Sequence, residues 1–211
     1  MKTIKTAICG CQGKVDRFAS LLNSYAESEV VAVYDADLAL AEKAAAALNC
    51  AATDHYDALL SDPALDGVLI LTANTTHAEM AIAAAKAGKS IFMEKPLCAR
   101  LEDAYRIRDA VKAARVRFYL TDPFVDAPTI HVKRLLREGV VGDLIQLRIR
   151  YCDDMGPLSP RSGQAVADEV RKQGGGVLLG TGGHPLHVLY YLLGKPESVY
   201  AALYYGSEDA R

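Results

Sequence analysis

Residues 67–101 read GVLILTANTTHAEMAIAAAKAGKSIFMEKPLCARL, and this stretch contains the pattern that decides the fold. A short apolar run at 67–71 predicts a buried strand, and an Ala-rich segment at 76–87, stopped by Gly88, predicts a helix. A second apolar run at 90–93 predicts another strand. Strand, helix and strand in this order are typical of a βαβ unit in a parallel sheet.

The same alternation extends over the first 120 residues. It predicts an α/β domain with a doubly wound parallel sheet over residues 1–120. The further strands are expected at 4–9, 30–34, 51–53 and 116–119, and the further helices at 15–24, 38–48 and 101–114.

The pattern changes after Leu120. Helices are predicted at 129–138 and 177–193, while residues 143–152 and 197–205 alternate between apolar and polar, as in an antiparallel sheet. Two strands alone leave most of their edge hydrogen bonds unpaired. We therefore expect residues 121–211 to form an incomplete α+β domain. Its sheet is expected to join copies of the chain in a homo-oligomer.

The composition excludes several classes of protein. The 211 residues are 51% hydrophobic and 24% charged with a net charge of −2, which argues against disorder and against a nucleic-acid partner. No apolar run reaches the roughly 18 residues of a membrane span, and the first residues are unlike a secretory signal. We therefore expect no membrane partner and a cytoplasmic location. The five scattered cysteines predict neither a disulfide framework nor a zinc site.

The turn after the first predicted strand is a candidate phosphate loop. It reads Gly10-Cys11-Gln12-Gly13-Lys14-Val15, so only the first glycine of a GxGxxG fingerprint is in place. Gly13 could open the loop in a shifted register, with the amides at the helix start binding phosphates. By itself, the turn is equally compatible with a tight turn that binds nothing.

Polar residues also follow the second and fourth predicted strands. Asp35 stands where an acid accepts both ribose hydroxyls of a dinucleotide and repels a 2′-phosphate. Thr72, Asn74 and His77 come after the strand at 67–71, at the sheet edge where such folds bind ligands. The structural alternatives are that Asp35 and Asn74 merely cap the helices that follow them.

Glu94-Lys95-Pro96, after the strand at 90–93, is the sharpest chemical signal in the chain. A lysine at the mouth of a parallel sheet, made rigid by the following proline, can donate hydrogen bonds to a substrate oxygen and stabilise charge there.

Together these motifs resemble the Gfo/Idh/MocA oxidoreductases closely. The resemblance rests on residues 67–101, on VVAVYDAD at 30–37, on REGVVGDLIQLRIRY at 137–151 and on GGGVLLGTGGHPLHVLYYLLG at 174–194. It implies an NAD(P)-dependent sugar or polyol dehydrogenase, with a Rossmann domain followed by an open-faced antiparallel sheet domain. It also implies Lys95 as the catalytic lysine and His184 as the acid/base. The residues expected to contact NAD are Gly10, Gln12, Gly13, Asp35, Thr72, Asn74, His77, Glu94 and Lys95.

The chain also departs from the family pattern. Gly180 stands where the family has its catalytic aspartate, and His187 replaces a later acid. Glycines and Pro185 crowd the same segment, so its helix is expected to break near His184. His184 and His187 could also be read as a metal pair, but without a further ligand at a recognisable spacing we expect no metal site.

Two functional hypotheses follow. In the first, the chain is an NAD-dependent dehydrogenase, in which Lys95 binds the reacting oxygen and His184 takes the hydroxyl proton. NADP is not excluded as the cofactor. In the second, the chain is a non-catalytic or altered relative, or a fragment, because the loop, the aspartate and part of the second domain depart from the family.

Overall fold

The computed structural model describes residues 2–121, 126–151 and 176–202. The chain divides into two compact units, Met1–Thr121 and Asp122–Arg211. Each unit is built around its own elements.

The first unit is built on a six-stranded sheet. Every pair of neighbouring strands is parallel, and the order is β3-β2-β1-β4-β5-β6. This confirms the predicted doubly wound sheet. The strands are β1 (Ile4–Cys9), β2 (Ser28–Tyr34), β3 (Ala51–Thr53), β4 (Gly67–Ile70), β5 (Ser90–Met93) and β6 (Phe118–Leu120).

Five helices connect these strands. Four of them lie within about two residues of the predicted bounds, and α3 was not predicted because five residues are too few to show a helical period. The helices are α1 (Val15–Asn23), α2 (Leu38–Leu48), α3 (Tyr56–Leu60), α4 (His77–Lys86) and α5 (Leu101–Ala114).

Two hydrophobic cores lie on opposite faces of the sheet. Along β4, Val68 and Ile70 belong to the core that also contains residues of α3, α4 and α5. Leu69 belongs to the core formed with α1 and α2. Because successive side chains of a strand point to opposite faces, one fully apolar strand supplies both cores.

The chain reverses its direction of winding between β1 and β4. β2 pairs with one edge of β1 and β4 with the other, so the loops after β1 and β4 diverge above a shared crevice. Gly10 has a φ of +99°, and a Cβ there would lie 2.8 Å from the Leu71 carbonyl carbon and the Thr72 nitrogen. Only glycine fits this turn without displacing the backbone.

The second unit contains three described helices, α6 (Ala127–Arg137), α7 (Gly176–Gly180) and α8 (Gly183–Leu193). The Asp126 carboxylate caps α6 by accepting from the Thr129 nitrogen at 3.0 Å. Lys133 of α6 donates to the Leu192 carbonyl of α8 at 2.7 Å, which ties the two helices together. The predicted helix break falls between α7 and α8, just before His184. None of the described helices is both long and apolar enough to span a bilayer.

Within the described residues, no strand is assigned at the two places predicted in the second unit, and the antiparallel sheet stays a prediction. Residues 144–151 and 198–202 belong to neither a helix nor a strand, and residues 152 and 203–205 lie outside the described part. An alternating pattern selects the face to be buried, but a strand also needs a partner backbone, and two short strands form at best a marginal ribbon. Ile145 and Tyr200 are 98% and 91% exposed. Assembly through this region stays a prediction.

The close approach at Gly10 generates a paired prediction. We expect Gly10→Ala to lower the free energy of unfolding by about 3 kcal/mol or more, because the new methyl meets backbone atoms. Gly13 also has a positive φ, +70°, but a Cβ there meets nothing within 4 Å. Gly13→Ala should therefore cost only about 1 kcal/mol. Urea unfolding of both variants is the measurement, and equal losses would contradict the packing argument.

Candidate functional site

Most of the residues predicted to contact a cofactor gather at one edge of the sheet. The loop 10–14 follows β1, Asp35 follows β2, Thr72 follows β4, and Glu94 follows β5. In a parallel sheet these carboxyl ends share one edge, and the strand reversal between β1 and β4 opens it. The structure thus brings together residues that are far apart in the chain.

Asp35 holds the loop after β1. One carboxylate oxygen accepts from the Cys11 nitrogen at 2.8 Å, and the other accepts from the Asp37 nitrogen at 3.1 Å. Each oxygen has lone pairs left for a further donor. The helix cap proposed as an alternative role belongs to Asp37 instead, which accepts from the Ala39 nitrogen at 3.0 Å. Asp35 is therefore available to a ligand at the loop.

The loop itself faces solvent. Gln12, Gly13 and Lys14 are exposed, and Lys14 is the N-cap residue of α1, with no side-chain cap hydrogen bond. Val15, which stands at the third glycine position, is buried against Phe18 and its neighbours in the α1–α2 core. The larger side chain at this position thus packs into the core, and residues Gln12 to Lys14 remain exposed to solvent.

His77 lies below the surface of the site. It is 1% exposed, with Nδ1 2.8 Å from the Pro96 carbonyl oxygen and Nε2 3.0 Å from the Thr72 carbonyl oxygen. The ring therefore bridges the loops after β4 and β5. Its predicted contact with a cofactor stays a prediction, and its place in this structure is that of a positioning residue.

Burial lowers the pKa of His77, and this effect outweighs the two carbonyl oxygens and Glu94, which favour the charged ring. The folded protein therefore favours the neutral imidazole. A neutral ring carries one proton, so it donates to one of the two carbonyls at a time.

Thr72 and Asn74 lie in the loop between β4 and α4. The Thr72 hydroxyl oxygen is 2.8 Å from the Thr76 hydroxyl oxygen, which anchors the loop to the start of the helix. The N-cap of α4 is Thr76, so Asn74 is not the residue that begins the helix. Asn74 is half-buried, two residues before that cap.

Glu94 connects three parts of the site. One carboxylate oxygen lies 2.9 Å from the Lys14 ammonium, and the other accepts from the Lys95 nitrogen at 2.9 Å. The Lys95 nitrogen also lies 3.2 Å from the Thr121 hydroxyl oxygen, at the end of β6. Lys14 and Thr121 were missed as site residues. Lys14 had one signal, a cation beside a candidate phosphate loop, whereas Thr121 had none.

His184 belongs to the second unit. It is the second residue of α8 and 7% exposed, and its nitrogen donates to the Thr181 carbonyl at 3.2 Å. Gly180, at the aspartate position of the resembled family, is the last residue of α7. Among the described residues no group of three His, Cys, Asp or Glu side chains could hold a metal ion.

Cys9, at the end of β1, and Cys11, in the turn that follows, both have thiols whose pKa is raised, which favours the protonated form at neutral pH. Burial raises the pKa of the Cys11 thiol to about 11, with the Asp35 carboxylate adding to the rise. Cys9 is fully buried, and burial raises its pKa further. Protonated thiols are poor nucleophiles and poor metal ligands.

Two family models match the chain. The model of an oxidoreductase family with an NAD-binding Rossmann fold matches residues 4–121, and the GFO/IDH/MocA C-terminal domain model matches residues 129–210. Between them they cover most of both units.

Curated relatives agree with these models. Levoglucosan dehydrogenase of Pseudarthrobacter phenanthrenivorans is 32% identical over 72% of this chain and 39% of its own. Inositol 2-dehydrogenase 2 of Saccharopolyspora erythraea is 30% identical over 89% of this chain and 52% of its own. The chain thus spans about half the length of the curated relatives it matches.

Solved structures share the fold. An NAD-binding oxidoreductase from Klebsiella pneumoniae superposes with a TM-score of 0.72 at 26% identity, over 91% of this chain and 54% of the other. The WlbA dehydrogenase of Bordetella pertussis, in complex with NADH and UDP-GlcNAcA, reaches 0.76 at 21% identity, over 92% and 56%. At 21% identity, the similarity to the WlbA dehydrogenase is evidence for the fold only.

The buried imidazole predicts a pH dependence of stability. Because the pKa of His77 is lowered from 6.5 in the folded protein, the unfolded chain binds a proton more readily below pH 6.5. This contribution to stability is fully present above that pH and is lost as the pH falls through the folded pKa. Urea unfolding between pH 7.5 and 5 should show a smaller loss for His77→Gln than for the wild type.

A matched histidine controls this experiment. The His55 side chain is 80% exposed, and His55→Gln should keep the wild-type pH dependence. If His77→Gln also keeps the wild-type pH dependence, the buried ring is not the group whose protonation lowers the stability at low pH.

Proposed function

Because the chain belongs to the Gfo/Idh/MocA oxidoreductase family, we propose that it is an NAD-dependent dehydrogenase of a sugar or polyol. One observation carries the proposal. Asp35, the loop 10–14 and the Lys95 backbone are linked by hydrogen bonds and an ion pair at the edge of the sheet where the strands end. This edge is where open α/β sheets bind ligands. The non-catalytic alternative is not favoured, since the curated relatives include inositol and levoglucosan dehydrogenases.

The residues at this edge fit a dinucleotide. The Asp35 carboxylate, fixed beside the loop by the Cys11 nitrogen, would accept from the ribose hydroxyls. The exposed backbone from Gln12 to Lys14 would face the phosphates at the start of α1. When bound, NAD would supply a nicotinamide ring that accepts or returns a hydride.

Lys95 would hold the reacting oxygen of the substrate. Two acceptors, Glu94 and Thr121, surround its backbone nitrogen at 2.9 and 3.2 Å, so the base of the side chain is fixed. An ammonium beside the substrate would lower the free energy of negative charge that develops on its oxygen. The carbon–oxygen bond of the substrate is thereby oriented as well as polarised.

His184 would accept the hydroxyl proton. The residue lies at the start of α8, where a helix dipole would favour the neutral ring that a base requires. With glycine at position 180, the chain has no carboxylate at the place of the family aspartate.

Assembly into a homo-oligomer is part of the same proposal.

The cofactor preference can be measured by titration. We expect NADH to bind at least about tenfold more tightly than NADPH, because Asp35 repels a 2′-phosphate. Asp35→Asn should narrow this preference. Asp37→Asn removes a charge two residues away but keeps a helix-capping side chain, so it should leave the preference unchanged. NADPH binding as tight as NADH binding in the wild type would overturn the choice of NAD.

The catalytic role of Lys95 predicts a loss of rate without a loss of fold. Lys95→Ala should lower kcat/KM by a factor on the order of 10² or more with a panel of inositols and sugars. Its Tm should change little. Lys86→Ala, on the exposed side of α4, serves as the control. Wild-type-like turnover by Lys95→Ala would show that another group holds the reacting oxygen.

A further inference from the structure

The ion pair between Lys14 and Glu94 spans the crevice at the strand reversal. Lys14 stands in the loop after β1 and Glu94 directly after β5, and their side chains meet at 2.9 Å across 80 residues of sequence. In the sheet, β4 lies between β1 and β5. The pair therefore passes over the carboxyl end of β4, where a dinucleotide would enter under the proposed function.

We propose that Lys14 is a phosphate-binding residue that exchanges Glu94 for the pyrophosphate of the dinucleotide. The inference rests on the proposed function and adds a residue to it. Gln12 occupies the second glycine position of the fingerprint, the one at which glycine lets the backbone approach the pyrophosphate, so its side chain limits that approach. A flexible lysine compensates, because its ammonium reaches a phosphate as a point charge without bringing the backbone close.

The exchange is favourable on electrostatic grounds. The Lys14 side chain is 51% exposed, and such ion pairs contribute little to stability because solvent and salt screen them. A pyrophosphate carries two negative charges where Glu94 carries one. At equal distance, the pyrophosphate would therefore attract the Lys14 ammonium more strongly than Glu94 does.

Glu94 remains held after Lys14 leaves. Its other oxygen accepts from the Lys95 nitrogen, and its side chain is only 14% exposed. The carboxylate thus stays at the end of β5 and competes with the phosphates for Lys14. Removal of the Glu94 charge should therefore leave ligand binding unchanged or make it tighter.

The test uses ligands with and without the pyrophosphate. For Lys14→Gln we expect about a tenfold or larger rise in Kd for both NADH and ADP-ribose, and no change for adenosine. Glu94→Gln keeps an acceptor for the Lys95 nitrogen but removes the competing charge. It should bind ADP-ribose as tightly as the wild type or more tightly.

The control is a second lysine ion pair of the same unit. Lys2 pairs with Asp66, and both residues lie before the amino ends of their strands, at the opposite edge of the sheet. Lys2→Gln should leave all three affinities unchanged.

The outcomes separate the two proposals. If the wild type binds neither NADH nor ADP-ribose, the proposed function fails, and this inference fails with it. If the wild type binds both and Lys14→Gln matches it within twofold, only the role of Lys14 is overturned. If Glu94→Gln weakens ADP-ribose binding as much as Lys14→Gln does, the ion pair shapes the loop, and the exchange is wrong.

Discussion

The close packing of Gly10 against the backbone of Leu71 and Thr72 is the constraint on which the site depends. With 2.8 Å between a hypothetical Cβ and those backbone atoms, the turn after β1 lies directly on the end of β4. Backbone hydrogen bonds hold it there, from Gly10 to the Tyr34 carbonyl at 2.8 Å and from Leu71 to the Cys9 carbonyl at 2.7 Å. The crevice of the doubly wound sheet opens above this contact.

Side-chain bonds then tie the strand ends to one another. Each bridge joins loops that follow different strands, so the edge behaves as one connected surface on which a ligand would find its partners preorganised. The bridges are Asp35 to the Cys11 nitrogen, His77 between the Thr72 and Pro96 carbonyls, Glu94 to Lys14, and Thr121 to the Lys95 nitrogen.

The bridges differ in how readily they break. The His77 bridge is buried, and its loss would leave buried polar groups without partners, which is costly. The Lys14–Glu94 bridge is partly exposed and screened by solvent. The buried bridge thus fixes the geometry of the loops, whereas the exposed bridge can exchange partners at low free-energy cost. This division is what the proposed exchange with a phosphate requires.

The sequence by itself determined the first unit, because its signals are local. Apolar runs and Ala-rich helices repeat with short periods, and the bounds of α2, α5, β1, β3 and β5 were predicted as they are observed. Position after a strand was enough to bring Asp35, Glu94 and Lys95 to one edge. Only the tertiary structure decided that His77 lies beneath the site and that Lys14 meets Glu94, since both depend on contacts between distant segments. The alternation at 144–151 does not by itself make a strand for the same reason: a period describes one segment, whereas a strand must also pair with a second segment.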